Sequence, residues 1–492
     1  MKILFVASEM TPFVKTGGLG DVVGGLPKYL RGHEVDVRVV IPHYSMIYGL
    51  DYRMSYMMPR RQGDGVVDVH TKVLDDVPVY FLKSWPYFVE DGKIYTDWEW
   101  DTPRYIYFSQ MATAFIWQLA SGALDGGKSW WPDVVHVHDW HTGLVPFLLH
   151  QARFNPGWQD VATVLTIHNM AFQGPYAGGW LWQEGLPDRD HAALPWRDLR
   201  DNLLAIGIAY AEKVNTVSPQ HAVELHYPRF GEGLESVIQA RGADFSGILN
   251  GLDTRFYDPA TDKHLETPYD ADTFREKRVE NKVALQKRQH LEVNPNIPLI
   301  AYVGRLTNQK GMDFAIPAIR YVLASTEAQF IGLGTGDSAL ESAFGQIGMD
   351  FNWKARTYLM FSDPLSRQIY AGADLVLVPS RYEPCGLTQM LAMRYGALPL
   401  VRETGGLMDS VDNYDGGAAD QGTGFRFLFE DSGSLERTVD WALRTYYDNR
   451  PAWVRMQERA MRRDWSWETA SRAYIRLYEQ AIAKKRAWRS GG

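Results

Sequence analysis

From the first residue, short runs of apolar and β-branched side chains alternate with stretches whose apolar positions recur at helical spacing. Residues 2–8 read as a buried strand, a glycine-rich turn follows, and residues 21–30 read as a helix before a second strand at 35–41. Further buried strands are expected at 134–137, 163–167 and 214–217. The last runs into Ser218-Pro219, a helix start with serine as the cap and proline in the first turn. Strands that are apolar along their whole length must be covered on both faces, which predicts a parallel sheet flanked by helices.

Residues 250–287 are polar and weakly periodic, after which the plan repeats, with strands expected at 299–303, 329–333, 374–379 and 397–401. The fold class is therefore α/β, with two doubly wound, Rossmann-like domains at 1–249 and 250–464. Residues 465–492 differ. Ser466 reads as a cap, Ala470, Ala473, Tyr474, Leu477, Tyr478, Ala481 and Ile482 keep helical spacing, and Lys484, Lys485 and Arg486 sit near the end, where the macrodipole favours cations. This terminal helix is expected to cross back to the first domain.

A length of 492 residues exceeds what one core serves, in keeping with two large domains. The formal net charge of -8 argues against nucleic acid or an anionic membrane as the main partner, so an anionic ligand must be held by a local cluster of positive groups. Cys385 is the only cysteine, which excludes an intramolecular disulfide and suits a reducing cytoplasm. The first apolar run is interrupted by Glu9 and is too short for a signal-peptide core. No stretch approaches the roughly 18 apolar residues of a membrane span, so neither that secretion route nor a membrane anchor is expected. Aromatic residues make up 13%, including 17 Trp and 26 Tyr. They serve core packing or, in residues 80–107, the stacking of sugar rings; composition does not choose.

Several stretches carry chemistry. Lys15-Thr-Gly-Gly-Leu-Gly-Asp21 lies between a strand and a helix, where glycines turn backbone amides toward an anion and Lys15 adds a positive charge. The third position of a dinucleotide fingerprint is Val23 rather than glycine, and no Walker lysine follows, so tight-turn geometry and a phosphate site both stay open. In Val135-His-Val-His-Asp-Trp-His141, His136 and His138 would share one face of a strand, yet a zinc site needs a third ligand and a second shell that nothing nearby supplies. The triplets Asp188/Asp190 and Asp270/Asp272 lie in polar, proline-flanked stretches rather than after a buried strand, and no metal site is expected there either. His168 stands at the carboxyl end of a predicted strand, which is where parallel sheets bind ligands.

In the second half, Arg305 and Lys310 flank a turn in Val303-Gly-Arg-Leu-Thr-Asn-Gln-Lys-Gly311. Two such cations can converge on one diphosphate and neutralise a leaving group without a metal, or form a solvated basic turn. Gly332-Leu-Gly-Thr-Gly-Asp337 ends the next strand and either approaches a ribose or phosphate or merely turns. The most specific stretch is Pro379-Ser-Arg-Tyr-Glu-Pro-Cys-Gly-Leu-Thr-Gln389, followed by Thr404-Gly-Gly406. Glu383 lies just past a buried strand, and carboxylates bind pairs of sugar hydroxyls well. Cys385 has no histidine nearby in sequence to activate it, which favours a packing thiol over a nucleophile.

Together these stretches resemble the bacterial and plant glycogen/starch synthase family. The matches are KTGGLGD at 15–21, HVHDWHTGL at 136–144, TIHNMAFQG at 166–174, TVSP at 216–219, GILNGLD at 247–253, GRLTNQKG at 304–311, GTGD at 334–337, PSRYEPCGLTQ at 379–389 and TGGL at 404–407. The resemblance implies the GT-B architecture, two Rossmann-like domains facing a central cleft. It also implies retaining transfer of glucose from ADP-glucose, as co-substrate and with no other cofactor, to an α-1,4-glucan. By motif, Lys15 and Gly18, with Asp21 beside them, would contact the donor phosphates, Asp139 and His168 would approach the transferred glucose, and Asn250 would lie near it. Arg305 and Lys310 would hold the diphosphate, and Glu383 with the Cys385, Gly386 and Leu387 amides would hold the sugar hydroxyls. Gly336, Thr388, Thr404 and Gly405 would line the donor, and Phe361 stands where the family carries an aromatic against adenine. Many related retaining transferases place a second glutamate eight residues after the first. Leu391 stands there instead, which resembles the synthases rather than sucrose- or trehalose-type relatives. Other readings left open are a GT-B enzyme of another type using a different nucleotide sugar, such as an epimerase, or a non-catalytic glucan-binding protein.

Overall fold

The computed structural model describes residues 1–88, 92–418 and 420–490. The chain forms two compact units, Met1–Gly251 together with Trp467–Gly492, and Leu252–Ser466. The divisions follow Gly251 and Ser466, two residues beyond each boundary expected above, so Asn250 belongs with the first unit.

The strands of the first unit are β1 (Lys2–Val6), β2 (Asp36–Pro42), β3 (Asp51–Met58), β4 (Gly65–Leu74), β5 (Val77–Lys83), β6 (Val134–His138), β7 (Ala162–Ile167), β8 (Lys213–Thr216) and β9 (Phe245–Gly247). They form one sheet in the order β3-β4-β5-β2-β1-β6-β7-β8-β9. All pairs are parallel except β3/β4 and β4/β5, a meander at one edge that the sequence reading did not anticipate. Ile3, Leu4, Phe5 and Val6 of β1 are wholly buried, as a central strand covered on both faces requires. The chain leaves β1 toward β2 on one side and returns to β6 on the other, so the direction of winding switches between β1 and β6. Ligands of doubly wound sheets bind outside the carboxyl ends of strands at such a switch.

The terminal helix, Trp467–Ser490, belongs to this unit: Trp467, Ala470, Tyr474, Leu477, Tyr478 and Ala481 enter the same core as β1, β6 and β7. It packs against the first helix, Gly18–Gly32, where Gly25 leaves room for the indole of Trp467. A Cβ at Gly25 would sit 2.9 Å from Cε2 of that ring, and Trp467 is itself buried. Alanine gains about 1 kcal/mol over glycine in a helix, whereas forcing a methyl group into a packed contact costs roughly 1–3 kcal/mol. Gly25→Ala is therefore expected to lower the thermal midpoint; an unchanged or higher midpoint by calorimetry would show that the contact gives way freely.

The second unit holds a wholly parallel sheet of β10 (Leu299–Val303), β11 (Gln329–Leu333), β12 (Ala355–Tyr358), β13 (Leu375–Val378), β14 (Leu398–Arg402) and β15 (Phe425–Phe427), ordered β12-β11-β10-β13-β14-β15. Its winding switches between β10 and β13. Among the described residues, no helix is long and apolar enough to cross a membrane.

Candidate active site

In the first unit, the chain past β1 supplies Ser8 and Glu9, both buried. The Glu9 carboxylate turns back into the glycine-rich turn and accepts the amide of Thr16, with those of Gly17 and Gly20 also directed at it. Burial raises its pKa, and the three amides oppose that rise. The turn thus does present amides to an anion, and the anion they hold here is a side chain of the chain itself. Lys15 lies at the surface, paired with Asp21 at 2.8 Å. Gly18 opens the first helix, and a Cβ there would meet nothing within 4 Å, so open space rather than steric need marks that position.

Across the switch point, Asp139 follows β6 with φ 54° and ψ -171°, a conformation natural to glycine. The strain is held by bonds on both sides. The Asp139 amide donates to Thr166 O at 3.0 Å, and its Oδ1 accepts the amides of His168 at 2.6 Å and Asn169 at 3.4 Å. Burial pushes its carboxyl up to about 7, against the pull of those amides. His168 is buried at the end of β7, its Nε2 3.0 Å from Nδ1 of His138, and burial lowers its pKa to about 3. His136 and His138 share one face of β6 as their spacing requires, with ring centroids 4.2 Å apart, and burial holds both neutral. His141 is also neutral, stacked on Tyr95 at 4.8 Å. Asn250 is buried with its Oδ1 unpartnered among the described residues.

In the second unit, the segments following β10 and β13 are locked together. Gly311 has φ 71°, and a side chain there would collide with the Pro379 carbonyl, so only glycine lets the turn close onto the end of β13. The Arg381 amide donates to Gln309 O at 2.8 Å. This closure brings the Lys310 ammonium into an ion pair with the Glu383 carboxylate, which also accepts Ser380 Oγ at 2.8 Å. Arg305 stays exposed, donating to Gln309 Oε1 at 2.7 Å. The result is two cations and one carboxylate at the winding switch of this sheet, a set suited to an anionic group carrying hydroxyls.

Two further motifs meet the same loops. The Gly406 amide donates to Glu383 O at 3.0 Å, and a side chain at Gly406 would collide with the Cys385 backbone, so Thr404-Gly405-Gly406 lies directly on Glu383–Leu387. Thr404 is buried, Gly405 takes φ 42°, Gly386 takes φ 76°, and Thr388 opens a short helix. The glycines of Gly334-Thr-Gly-Asp337 have a packing role. Leu306 pairs with Gly336 as an isolated bridge, and a side chain at Gly336 would strike the Leu306 carbonyl. The Gly336 amide is engaged by Glu341 Oε1 at 2.8 Å.

Other residues singled out in the sequence lie elsewhere. Phe361 is 89% exposed beyond β12, at the far edge of its sheet. Asp188 and Asp190 both pair with Arg200, and Asp272 pairs with Arg462. Of the aromatic segment at 80–107, residues 89–91 lie outside the described residues. Tyr80, Tyr105 and Tyr107 are buried, and Trp85 and Trp98 are exposed. Two residues at the site escaped the sequence reading. Glu9 entered only as the charge ending an apolar run, although a carboxylate at the carboxyl end of a first parallel strand was a usable signal. Arg104, fully buried within Trp98–Ala120, paired with Asp101 at 3.1 Å and facing Tyr44, Phe88 and Tyr105, left no such trace.

The chain is similar to known proteins along nearly its whole length. A family model described as the starch synthase catalytic domain matches residues 2–240, and one for glycosyl transferases group 1 matches residues 297–444. The chain is 42% identical to the glycogen synthase of Streptococcus gordonii over 98% of its own length and 100% of that protein. It is 39% identical to glycogen synthase 1 of Synechocystis, over 98% and 96% respectively. The catalytic domain of starch synthase IV from Arabidopsis thaliana, solved with ADP and acarbose, superposes with a TM-score of 0.85 at 31% identity, covering 98% of this chain and 99% of that one. Sucrose-phosphate synthase from Thermosynechococcus elongatus, at 16% identity and a TM-score of 0.60, shares the fold.

Proposed function

The chain belongs to the glycogen and starch synthase family of GT-B glycosyltransferases, a glucosyltransferase of glycogen synthesis, and from that premise we propose ADP-glucose as its donor and the non-reducing end of an α-1,4-glucan as its acceptor. The observation that most supports this reading is the Arg305, Lys310 and Glu383 cluster at the β10/β13 switch.

Arg305 and Lys310 take the diphosphate and stabilise the charge that grows on ADP as the glycosidic bond breaks, so no metal ion is required. Lys15 and Gly18 are assigned to donor phosphates by their motif, with Asp21 steering Lys15. Glu383 and the amides of Cys385, Gly386 and Leu387 hold the sugar hydroxyls, Thr388, Thr404 and Gly405 bound the same ligand, and Asn250 is assigned to the sugar by its motif. Gly336 supports the Arg305 turn. Asp139 and His168 face the glucose as it acquires cationic character. Retention without a pair of carboxylates disposed as in a retaining glycosidase favours front-face attack, in which the acceptor 4-hydroxyl passes its proton to the departing phosphate oxygen.

Incubation with ADP-glucose or UDP-glucose and a short maltooligosaccharide, followed by measurement of nucleotide release and chain length, tests the assignment. The expected result is ADP released in proportion to glucose added. Nucleotide release without elongation, or donor binding without turnover, would overturn it. The raised carboxyl of Asp139 adds a pH dependence. Below about 7 the group is protonated and gives a developing cation no charge to face, so turnover should rise with pH through an apparent value near 7. Asp139→Asn should be slow and should lack that rising limb; a rise persisting in the variant would assign it to another group.

A further inference from the structure

Beneath His168 lies a chain of buried polar groups whose proton positions can be deduced one from the next. Asn215 Nδ2 lies 3.3 Å from the carbonyl of Thr216, which can only accept, so the amide is oriented with Oδ1 toward Thr166. Thr166 Oγ1 must therefore donate to Asn215 Oδ1, at 2.7 Å. With its proton spent, Thr166 can only accept from His136 Nε2, also at 2.7 Å, so His136 carries its proton on Nε2. Its Nδ1 is then a bare lone pair and accepts from the hydroxyl of Tyr478 at 2.9 Å. At the other end Asn215 Nδ2 donates to the hydroxyl of Tyr474 at 3.3 Å. Both tyrosines come from the terminal helix, and Asn215, Thr166, His136, Tyr474 and Tyr478 are all wholly buried.

The next layer toward the site contains His138 and His168. His138 packs against His136, with ring centroids 4.2 Å apart and planes tilted by 39°, and stacks on Phe5 at 5.4 Å. Its Nε2 is buried with no hydrogen-bond partner among the described residues. An orphaned N–H is rarer in a protein interior than an unfilled acceptor, so the proton of His138 sits on Nδ1 and is donated to His168 Nε2. His168 must then carry its own proton on Nδ1, the ring atom left without a partner among the described residues.

We propose that Tyr478 is a positioning residue for His168: its hydroxyl holds the His136 ring against which His138 packs, and His138 in turn, through Nδ1, holds His168 in the place and tautomer it presents to the sugar. The inference rests on the assignment of His168 to the transferred glucose. It gives the terminal helix a part in turnover, although neither tyrosine touches substrate.

The test uses the full-length enzyme labelled with 15N-histidine, in which long-range proton–nitrogen correlations distinguish the two neutral tautomers. Signals are assigned from His136→Gln and His168→Ala. Wild-type spectra should show His136 protonated on Nε2 and His168 on Nδ1. Tyr478→Phe should shift the His168 ring 15N signals while leaving its tautomer in place, and lower kcat roughly tenfold, with the donor KM within about twofold, because misplacing a catalytic group costs turnover rather than binding. Thr166→Val should do the same and Thr166→Ser should restore both readouts, which loss of packing alone does not predict. His168 protonated on Nε2 in the wild type overturns the proposal whether or not any variant folds. So does Tyr478→Phe that leaves kcat and the His168 spectrum unchanged while His168→Ala is inactive. Near-normal turnover in His168→Ala would instead remove the premise taken from the functional assignment, and the proposal with it.

Discussion

Lys310→Ala is expected to lower kcat by roughly 100-fold or more, the loss seen when one fixed donor to a developing negative charge is removed. Lys310 is a demanding case because its ammonium is ion-paired with Glu383, and the two side chains are 19% and 9% exposed. Alanine removes the cation and also strands the carboxylate with Ser380 as its remaining partner among the described residues, so stability should fall as well. The two effects separate in the double variant Lys310→Ala with Glu383→Gln, which removes the stranded charge. Its thermal midpoint should recover and its turnover should not. Arg305→Ala should show the turnover loss without the stability loss, because Arg305 is exposed and its side chain bonds only Gln309 among the described residues. Turnover within a few-fold of wild type in both single variants, by single-turnover kinetics, would take charge stabilisation away from these two side chains.

Glu383→Ala should be comparably damaging for a different reason. A carboxylate that accepts sugar hydroxyls contributes about 1.5–3 kcal/mol per charged hydrogen bond, equivalent to roughly 10- to 100-fold in kcat/KM. Removing it also releases Lys310, whose unpaired cation should hold ADP more tightly. The expected signature is therefore slower transfer together with tighter product binding, measured by calorimetric titration of ADP. Weaker ADP binding in Glu383→Ala would mean that the carboxylate serves the nucleotide rather than the sugar. Cys385, two residues on, should tolerate alanine with only a modest loss, as expected of a buried thiol.

The legible part of the fold was its buried parallel strands. Residues 299–303 and 329–333 were read to the residue, because a strand covered on both faces is apolar throughout and bounded by turn formers. The β3–β4–β5 meander was not read. Its outer strand exposes Tyr52 and Met57, and Val66 and Val73 face solvent in β4, so the alternation that marks a half-buried strand is blurred. The helix Trp98–Ala120 was missed because it is buried nearly all round and shows no single apolar stripe. Motifs located the loops of the site but not how they engage one another. Nothing in the spacing of Gly334-Thr-Gly-Asp337 reveals that its glycines exist to admit the Leu306 backbone, or that Glu9 would occupy the amides of Thr16, Gly17 and Gly20.

The terminal helix has a consequence for the order in which the molecule can be completed. During synthesis the second unit is one continuous stretch, Leu252–Ser466, and every residue it needs has been made before the first unit receives Trp467. At roughly 5–20 residues per second, the amino-terminal half waits some 10–40 s for the segment that closes its interior. For that interval the first-made half leaves uncovered the apolar ground later taken by Leu477 and Ala481, and the later-made half is free to finish before it. The nascent chain is thus most vulnerable to aggregation or proteolysis in the part that left the ribosome earliest.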